Sequence, residues 1–208
     1  MEGATREENL KLILIRHGET PWNEQKLIQG SRQDIELSPA GIRRAGKLAS
    51  YLKNEKFSII ITSPMKRAVA TAKAVASLHG LSLEIDNRLK EIDVADLEGM
   101  SLDDLNTTFT RFLMQWQKDR ELANLPHGEK LPELQHRAWT VVQTLLETHH
   151  EETVVLVSHY FVIMAIILQA LDLPLEAMVK FKLDPCGISV LSFTDHGARL
   201  LSFNSTCY

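Results

Sequence analysis

Three short apolar runs, each stopped abruptly by polar residues, constrain this chain more than any other feature. The first, Leu12-Ile13-Leu14-Ile15, breaks off at Arg16-His17-Gly18-Glu19, with Asn23 a turn further on. The second, Thr153 to Val157, stops at Ser158-His159 and leads into the apolar stretch Phe161 to Leu171. The third, Phe57 to Thr62, is followed by Ser63-Pro64-Met65-Lys66-Arg67. Runs rich in β-branched residues and leucine, without polar alternation, read as strands buried on both faces, the kind found in parallel sheets. Such sheets bind ligands beyond the carboxyl ends of their strands. Ser63 is a natural N-cap and Pro64 suits the first helical position, which would place Arg67 in the first turn of the next helix. With the three strands parallel and adjacent, two histidines and two arginines converge.

The rest of the chain alternates in the same way. The pattern predicts strand 11–16, helix 38–54, strand 57–62, helix 64–79, strand 82–85, helices within 101–121 and 130–149, strand 153–158 and helix 160–171. Strands 187–194 and 199–203 should form a hairpin around Asp195-His196-Gly197. Alternating strands and helices specify an α/β three-layer sandwich with a largely parallel central sheet. No repeat or Pro/Gly/Ser-rich linker divides the sequence. The expected organisation is a flexible segment 1–9 and a single domain 10–208. Within it, amphipathic, mixed-charge sequence at about 98–132 interrupts the alternation and is expected to form a lid over the strand ends.

The motifs RHGETPWN with Gln29-Gly30, Leu37-Ser38-Pro39-Ala40-Gly41, Ser63-Pro64-Met65-Lys66-Arg67-Ala68, Glu91-Ile92-Asp93 with Glu98-Gly99, and Ser158-His159 stand in a fixed order. A lone RHG tripeptide carries little information, whereas the ordered set is specific. The chain resembles the histidine phosphatase superfamily, in its phosphoglycerate-mutase-like branch, from about Leu10 to Thr206, and is similar to alpha-ribazole phosphatase and broad-specificity phosphatase members. The resemblance implies phosphoryl transfer through a covalent phosphohistidine, with His17 as nucleophile. Arg16 and Arg67 would chelate the phosphoryl oxygens as planar forked donors, and His159 would add a further donor. Glu91 matches the family's acid, which protonates the leaving oxygen and then activates water. Asn23, Gln29, Gly30 and Tyr160 are expected on the phosphate or leaving-group side. No metal and no cofactor are implied, because the arginines and histidines would supply the positive charge.

Departures from the family pattern concern substrate fit. Two small residues and a later arginine are common after the second histidine, where this chain has Tyr160-Phe161-Val162-Ile163-Met164, bulkier and one positive charge poorer. Ala95 and Leu97 replace a glycine and an aromatic residue, and Pro185-Cys186 stands where an asparagine is common. The middle segment is shorter than in the mutases and mixes Arg111, Lys118 and Arg120 with Asp103, Asp104, Asp119 and Glu121. Hydrolysis of a small phosphate ester is therefore the favoured activity. A bisphosphoglycerate-dependent phosphoglycerate mutase is the first alternative, and a catalytically retired binding or scaffold protein the second.

Composition narrows the remaining classes. The 208 residues, 44% hydrophobic, suffice for a substantial core, and a formal net charge of -4 gives no sign of nucleic-acid or membrane binding. The polar start MEGATREEN lacks a signal-peptide core, and Phe161 to Leu171 is too short to span a bilayer. Cys186 and Cys207 show no metal-ligand spacing and are expected to be reduced. A cytoplasmic protein is expected, acting on a small-molecule phosphate ester, with a homodimer left open. His149-His150 before Glu151-Glu152 is better explained by a helix end than by a metal site. Asp93, Asp96 and Glu98 read as structural or exposed. Trp22, Trp116 and Trp139 read as core or lid packing, with Trp116 a candidate substrate contact.

Overall fold

A computed structural model of the chain describes residues 9–101 and 127–206. Six strands form one sheet, β1 (Leu10–Arg16), β2 (Ile59–Thr62), β3 (Leu83–Ile85), β4 (Glu152–Ser158), β5 (Ile188–Thr194) and β6 (Gly197–Ser205), in the order β3-β2-β4-β1-β5-β6. The four on the β3 side run parallel, and β5 and β6 are antiparallel additions beside β1. The three strands with polar ends are thus neighbours, with β4 between β2 and β1 rather than β1 touching β2.

Residue alternation in the strands divides the core into two layers. Leu10, Leu12, Leu14, Val154 and Leu156 pack with α4 (Leu131–Thr148) and α5 (Tyr160–Ala170) on one face. Ile13, Ile15, Ile60, Val155 and Val157 pack with α2 (Pro39–Leu52) and α3 (Lys66–Ala76) on the other. A strand buried on both faces needs apolar side chains at every position, which is why these runs carry no polar alternation. Helix α5 is buried from Val162 through Leu168 and so is apolar all round. No helix among the described residues is long and apolar enough to cross a membrane.

Element boundaries differ from the sequence reading at informative places. Helix α2 begins as expected, with Pro39 first and the Ser38 hydroxyl accepting from the Gly41 N–H at 3.1 Å. Gly41 is required there, because a Cβ would lie 2.0 Å from the Glu19 carbonyl oxygen. Helix α3 does not begin at Ser63-Pro64. Its N-cap is Met65, and the Ser63 hydroxyl instead contacts His159. Arg67 nevertheless remains in the first turn. The tetrapeptide Pro21–Glu24 forms a short helix, α1, which the strand-and-loop reading omitted; Thr20 and Asn23 cap it reciprocally. The hairpin strand β6 is longer than 199–203 and turns at Asp195-His196. Most of the segment read as a lid, together with Trp116, lies outside the described residues, as does Cys207.

Candidate active site

The register between β1 and β4 builds the centre of the site. Arg16 pairs with Ser158, and the His17 N–H donates to the Ser158 carbonyl at 2.9 Å, so both strands end level with each other. The His17 and His159 rings lie 5.1 Å apart, centroid to centroid, at 58°. From the next strand, the Ser63 N–H donates to the Val157 carbonyl at 3.0 Å, and the chain turns into α3, which carries Arg67. His17, Arg67, Glu91 and His159 are exposed by only 2%, 0%, 5% and 0%.

His17 is held in one protonation pattern. Its Nδ1 lies 2.7 Å from the Gly18 carbonyl oxygen. A carbonyl only accepts, so Nδ1 carries the proton and Nε2 keeps its lone pair. Burial, reinforced by the Arg67 and Arg16 charges, holds the His17 pKa well below the usual histidine range. The ring is therefore neutral near pH 7, and the two neighbouring cations help to keep it so. The Gly18 N–H donates to the Thr71 hydroxyl at 2.9 Å, and that hydroxyl donates to the Arg67 carbonyl at 2.7 Å, tying the histidine loop to α3.

Each arginine spends part of its guanidinium on the scaffold. Arg16 Nη1 donates to the Leu183 carbonyl, and its guanidinium carbon lies 5.8 Å from the centre of the Tyr160 ring. Arg67 Nη2 donates to the Gly30 carbonyl at 2.9 Å, and Nη1 reaches the Gln33 carbonyl at 3.4 Å. The Nε of both arginines, the His159 Nδ1 and both polar atoms of the Gln29 amide are buried without a hydrogen-bond partner among the described residues. Buried polar atoms are nearly always bonded, so a convergent group of orphans requires an explanation. A multivalent oxyanion would satisfy the donors together.

Glu91 sits at the edge of this group. Its carboxylate accepts from the Ile92 N–H at 2.9 Å, with the Phe161 N–H at 3.5 Å. Burial raises its pKa; the Ile92 N–H, Arg67, Arg16 and the Phe161 N–H oppose that rise without cancelling it. The carboxyl is thereby better able to hold a proton than an exposed one. Arg137, which the sequence reading passed over, secures the loop behind it by donating to the Arg88 and Glu91 carbonyls at 2.5 and 3.3 Å and pairing with Glu129. Ser158 Oγ donates to the Leu89 carbonyl at 2.8 Å.

Arg16, His17, Asn23, Gln29, Glu91 and Tyr160 open onto a cavity of about 270 Å³. Its remaining wall is apolar: Leu27, Ile28, Phe161, Met178 and Val179. Asn23 uses its Oδ1 to cap α1. Gly30 does not line this cavity. It packs behind the wall, where a Cβ would come within 2.7 Å of Val94, and there presents its carbonyl to Arg67. Tyr160 shares its hydroxyl proton between the Met178 and Phe181 carbonyls, at 3.2 and 3.1 Å. The bulky residue after the second histidine thus anchors one wall of the cavity.

Other polar residues have structural places. Glu98 accepts the N–H groups of Gly30, Arg32 and Gln33 at 3.1, 3.1 and 3.0 Å. Asp93 pairs with Arg32 at 2.8 Å, and Asp96 lies exposed at 3.7 Å from the same side chain. His149 caps α4, its Nδ1 2.7 Å from the Thr148 hydroxyl. Trp22 packs over Gly99, and Trp139 lies 6.3 Å from the Phe193 ring. Thr71 and Arg137 are supporting residues that spacing alone did not identify, and the spacing did not foretell the partners of Ser63 and Glu98. Ser63, Arg67 and Thr71 lie within one short stretch following a motif strand, the one signal that could have drawn attention to Ser63 and Thr71.

Known proteins resemble this chain in sequence or in fold. Probable phosphoglycerate mutase GpmB of Yersinia pestis is 32% identical over 186 residues, covering 89% of this chain and 86% of the relative. A phosphoserine phosphatase from Entamoeba histolytica, solved in complex with phosphoserine, superposes with a TM-score of 0.84 at 33% identity, over 95% of this chain and 98% of that one. The alpha-ribazole phosphatase from Shigella flexneri gives 0.81 at 29% identity, over 94% and 96%. Residues 12–206 match the profile described as histidine phosphatase superfamily (branch 1), and the chain belongs to that family.

Proposed function

We propose that the chain is a metal-independent phosphomonoester hydrolase that works through a phosphohistidine on His17, with a small phosphorylated metabolite as substrate. The observation that carries this reading is the His17 ring itself, neutral and with Nε2 left as a lone-pair nucleophile by the bond from Nδ1 to the Gly18 carbonyl. In the first step Nε2 attacks phosphorus and the ester P–O bond breaks. Protonated Glu91 gives its proton to the leaving oxygen. Arg16, Arg67 and His159 donate to the phosphoryl oxygens, where charge is held through the transition state. In the second step the Glu91 carboxylate takes a proton from water, the water oxygen bonds to phosphorus, and the P–N bond breaks to return His17 and inorganic phosphate.

Relatives carry both phosphatase and mutase names. Among the described residues, the cavity wall beyond the phosphoryl centre offers no second cation for another phosphate or a carboxylate. That supports water, rather than a monophosphoglycerate retained in the site, as the acceptor of the phosphoryl group. Brief incubation with a labelled phosphomonoester in excess EDTA should leave label on His17, stable to base and labile to acid, and release phosphate without added bisphosphoglycerate. Label on serine, aspartate or cysteine would sink the mechanism. Bisphosphoglycerate-dependent interconversion of phosphoglycerates with little phosphate release would make the protein a mutase. Absence of turnover across a panel of metabolite phosphates would support a scaffold role.

A further inference from the structure

His159 has two ring nitrogens and, when neutral, a single N–H to place. Its Nε2 lies 2.7 Å from Ser63 Oγ, and its Nδ1, in a ring 5.1 Å from that of His17, is buried without a partner among the described residues. Burial, with the charges of Arg67 and Arg16 and the neighbouring His17, pushes the His159 pKa far down, so the ring does not carry protons on both nitrogens near pH 7. Whichever nitrogen faces the phosphoryl oxygens is therefore a donor in one tautomer and a repelling lone pair in the other.

We propose that Ser63 is a positioning residue that fixes His159 as the Nδ1–H tautomer and so turns its orphaned nitrogen into a hydrogen-bond donor for the phosphoryl group. The hydrogen bonds around Ser63 decide the direction. Its Oγ already accepts from the Met65 N–H at 3.3 Å, and its own hydroxyl proton has one acceptor within reach among the described residues, His159 Nε2. With that proton on the Ser63–Nε2 axis, Nε2 holds the lone pair and Nδ1 holds the hydrogen. The reverse tautomer would leave the buried serine proton without an acceptor and direct a lone pair at an anion, which costs on both counts. It also explains why Ser63 gives up the N-cap of α3 to Met65. The kinetic part of this inference rests on the phosphohistidine reading, but the tautomer does not.

Long-range ¹H–¹⁵N correlation of the histidine rings reads the tautomer directly in the wild-type protein, without turnover. His159 should show a protonated Nδ1 and an unprotonated Nε2. Ser63→Ala, which removes only one oxygen, should populate the Nε2–H form and weaken vanadate binding and kcat/KM for p-nitrophenyl phosphate about tenfold, in line with losing one hydrogen bond to a charged group. A wild-type His159 protonated on Nε2 overturns the proposal, and so does a Ser63→Ala protein with shifted tautomer but unchanged vanadate affinity. A protein with the expected tautomer and vanadate response but no turnover on any ester defeats the hydrolase reading alone.

Discussion

The ends of β1 and β4 are built alike and do opposite things. Each is a buried apolar strand that stops at a histidine, and the register Arg16 to Ser158 sets the two histidines side by side. At the end of β1 the carbonyl of Gly18, an acceptor, takes the proton of Nδ1 and leaves Nε2 bare. At the end of β4 the hydroxyl of Ser63, a donor, meets Nε2 and leaves Nδ1 with the hydrogen. Burial and the same two arginines keep both rings neutral. In the proposed mechanism, the hydrogen-bond partner of each ring sets which histidine attacks and which one donates.

The contrast is broken most sharply by removing each ring in turn. His17→Ala should reduce turnover by roughly 10⁴-fold or more, since no other group stands in for a missing nucleophile. His159→Ala should cost about 10²- to 10³-fold, the range for a single lost oxyanion donor, and should still form phosphohistidine. Single-turnover measurements with a labelled ester separate the two. Equal losses, or no trapped phosphoryl group in His159→Ala, would contradict the division of labour.

Glu91 sharpens the comparison from the leaving-group side. Glu91→Gln should slow alkyl phosphates by about 10²- to 10⁴-fold, the usual worth of a positioned proton donor. An aryl ester such as p-nitrophenyl phosphate should be spared in its first step and should accumulate phosphohistidine, because water then lacks its base. The sign of the pH effect follows from the raised pKa. Wild-type activity on alkyl esters should fall as pH rises through that pKa, where the donor proton is lost, and Glu91→Gln should flatten that limb. Matching losses on alkyl and aryl esters, with no accumulated intermediate, would move the acid-base role away from Glu91.

Much of this was legible in the sequence, for identifiable reasons. Strand ends are fixed by where an apolar run stops, so Arg16, His17 and His159 could be placed on one sheet edge from the pattern alone. Ser63 was noticed for the wrong duty, because a serine before a proline is a good N-cap until a better partner is folded against it. Gly30, expected on the phosphate or leaving-group side, has Val94 and Arg67 as neighbours, contacts made by segments distant in sequence. Glu98 and Arg137 act through backbone groups of other segments, and no spacing rule links a carboxylate to N–H groups 65 to 68 residues away. Local pattern predicts elements and their ends, whereas supporting contacts depend on tertiary packing.

Glu98 offers the smallest test of the same comparison, now between the two arginines. Arg16 is held by its strand and by the Leu183 carbonyl, whereas Arg67 rests on the Gly30 and Gln33 carbonyls. That second support is a loop whose own N–H groups converge on the single carboxylate of Glu98. Glu98→Ala should release the loop and let the Arg67 guanidinium drift, while Arg16 and the His17 tautomer stay in place. A misplacement of about 1 Å in a clamp can cost up to about 10²-fold, and partial release predicts a loss in kcat/KM of roughly 10- to 100-fold with weaker vanadate binding. Phosphohistidine should still form, and the pH limb assigned to Glu91 should persist, since the acid itself is untouched. If Glu98→Ala instead abolished that limb or spared alkyl and aryl esters differently, Glu98 would be acting on the leaving group and not through Arg67.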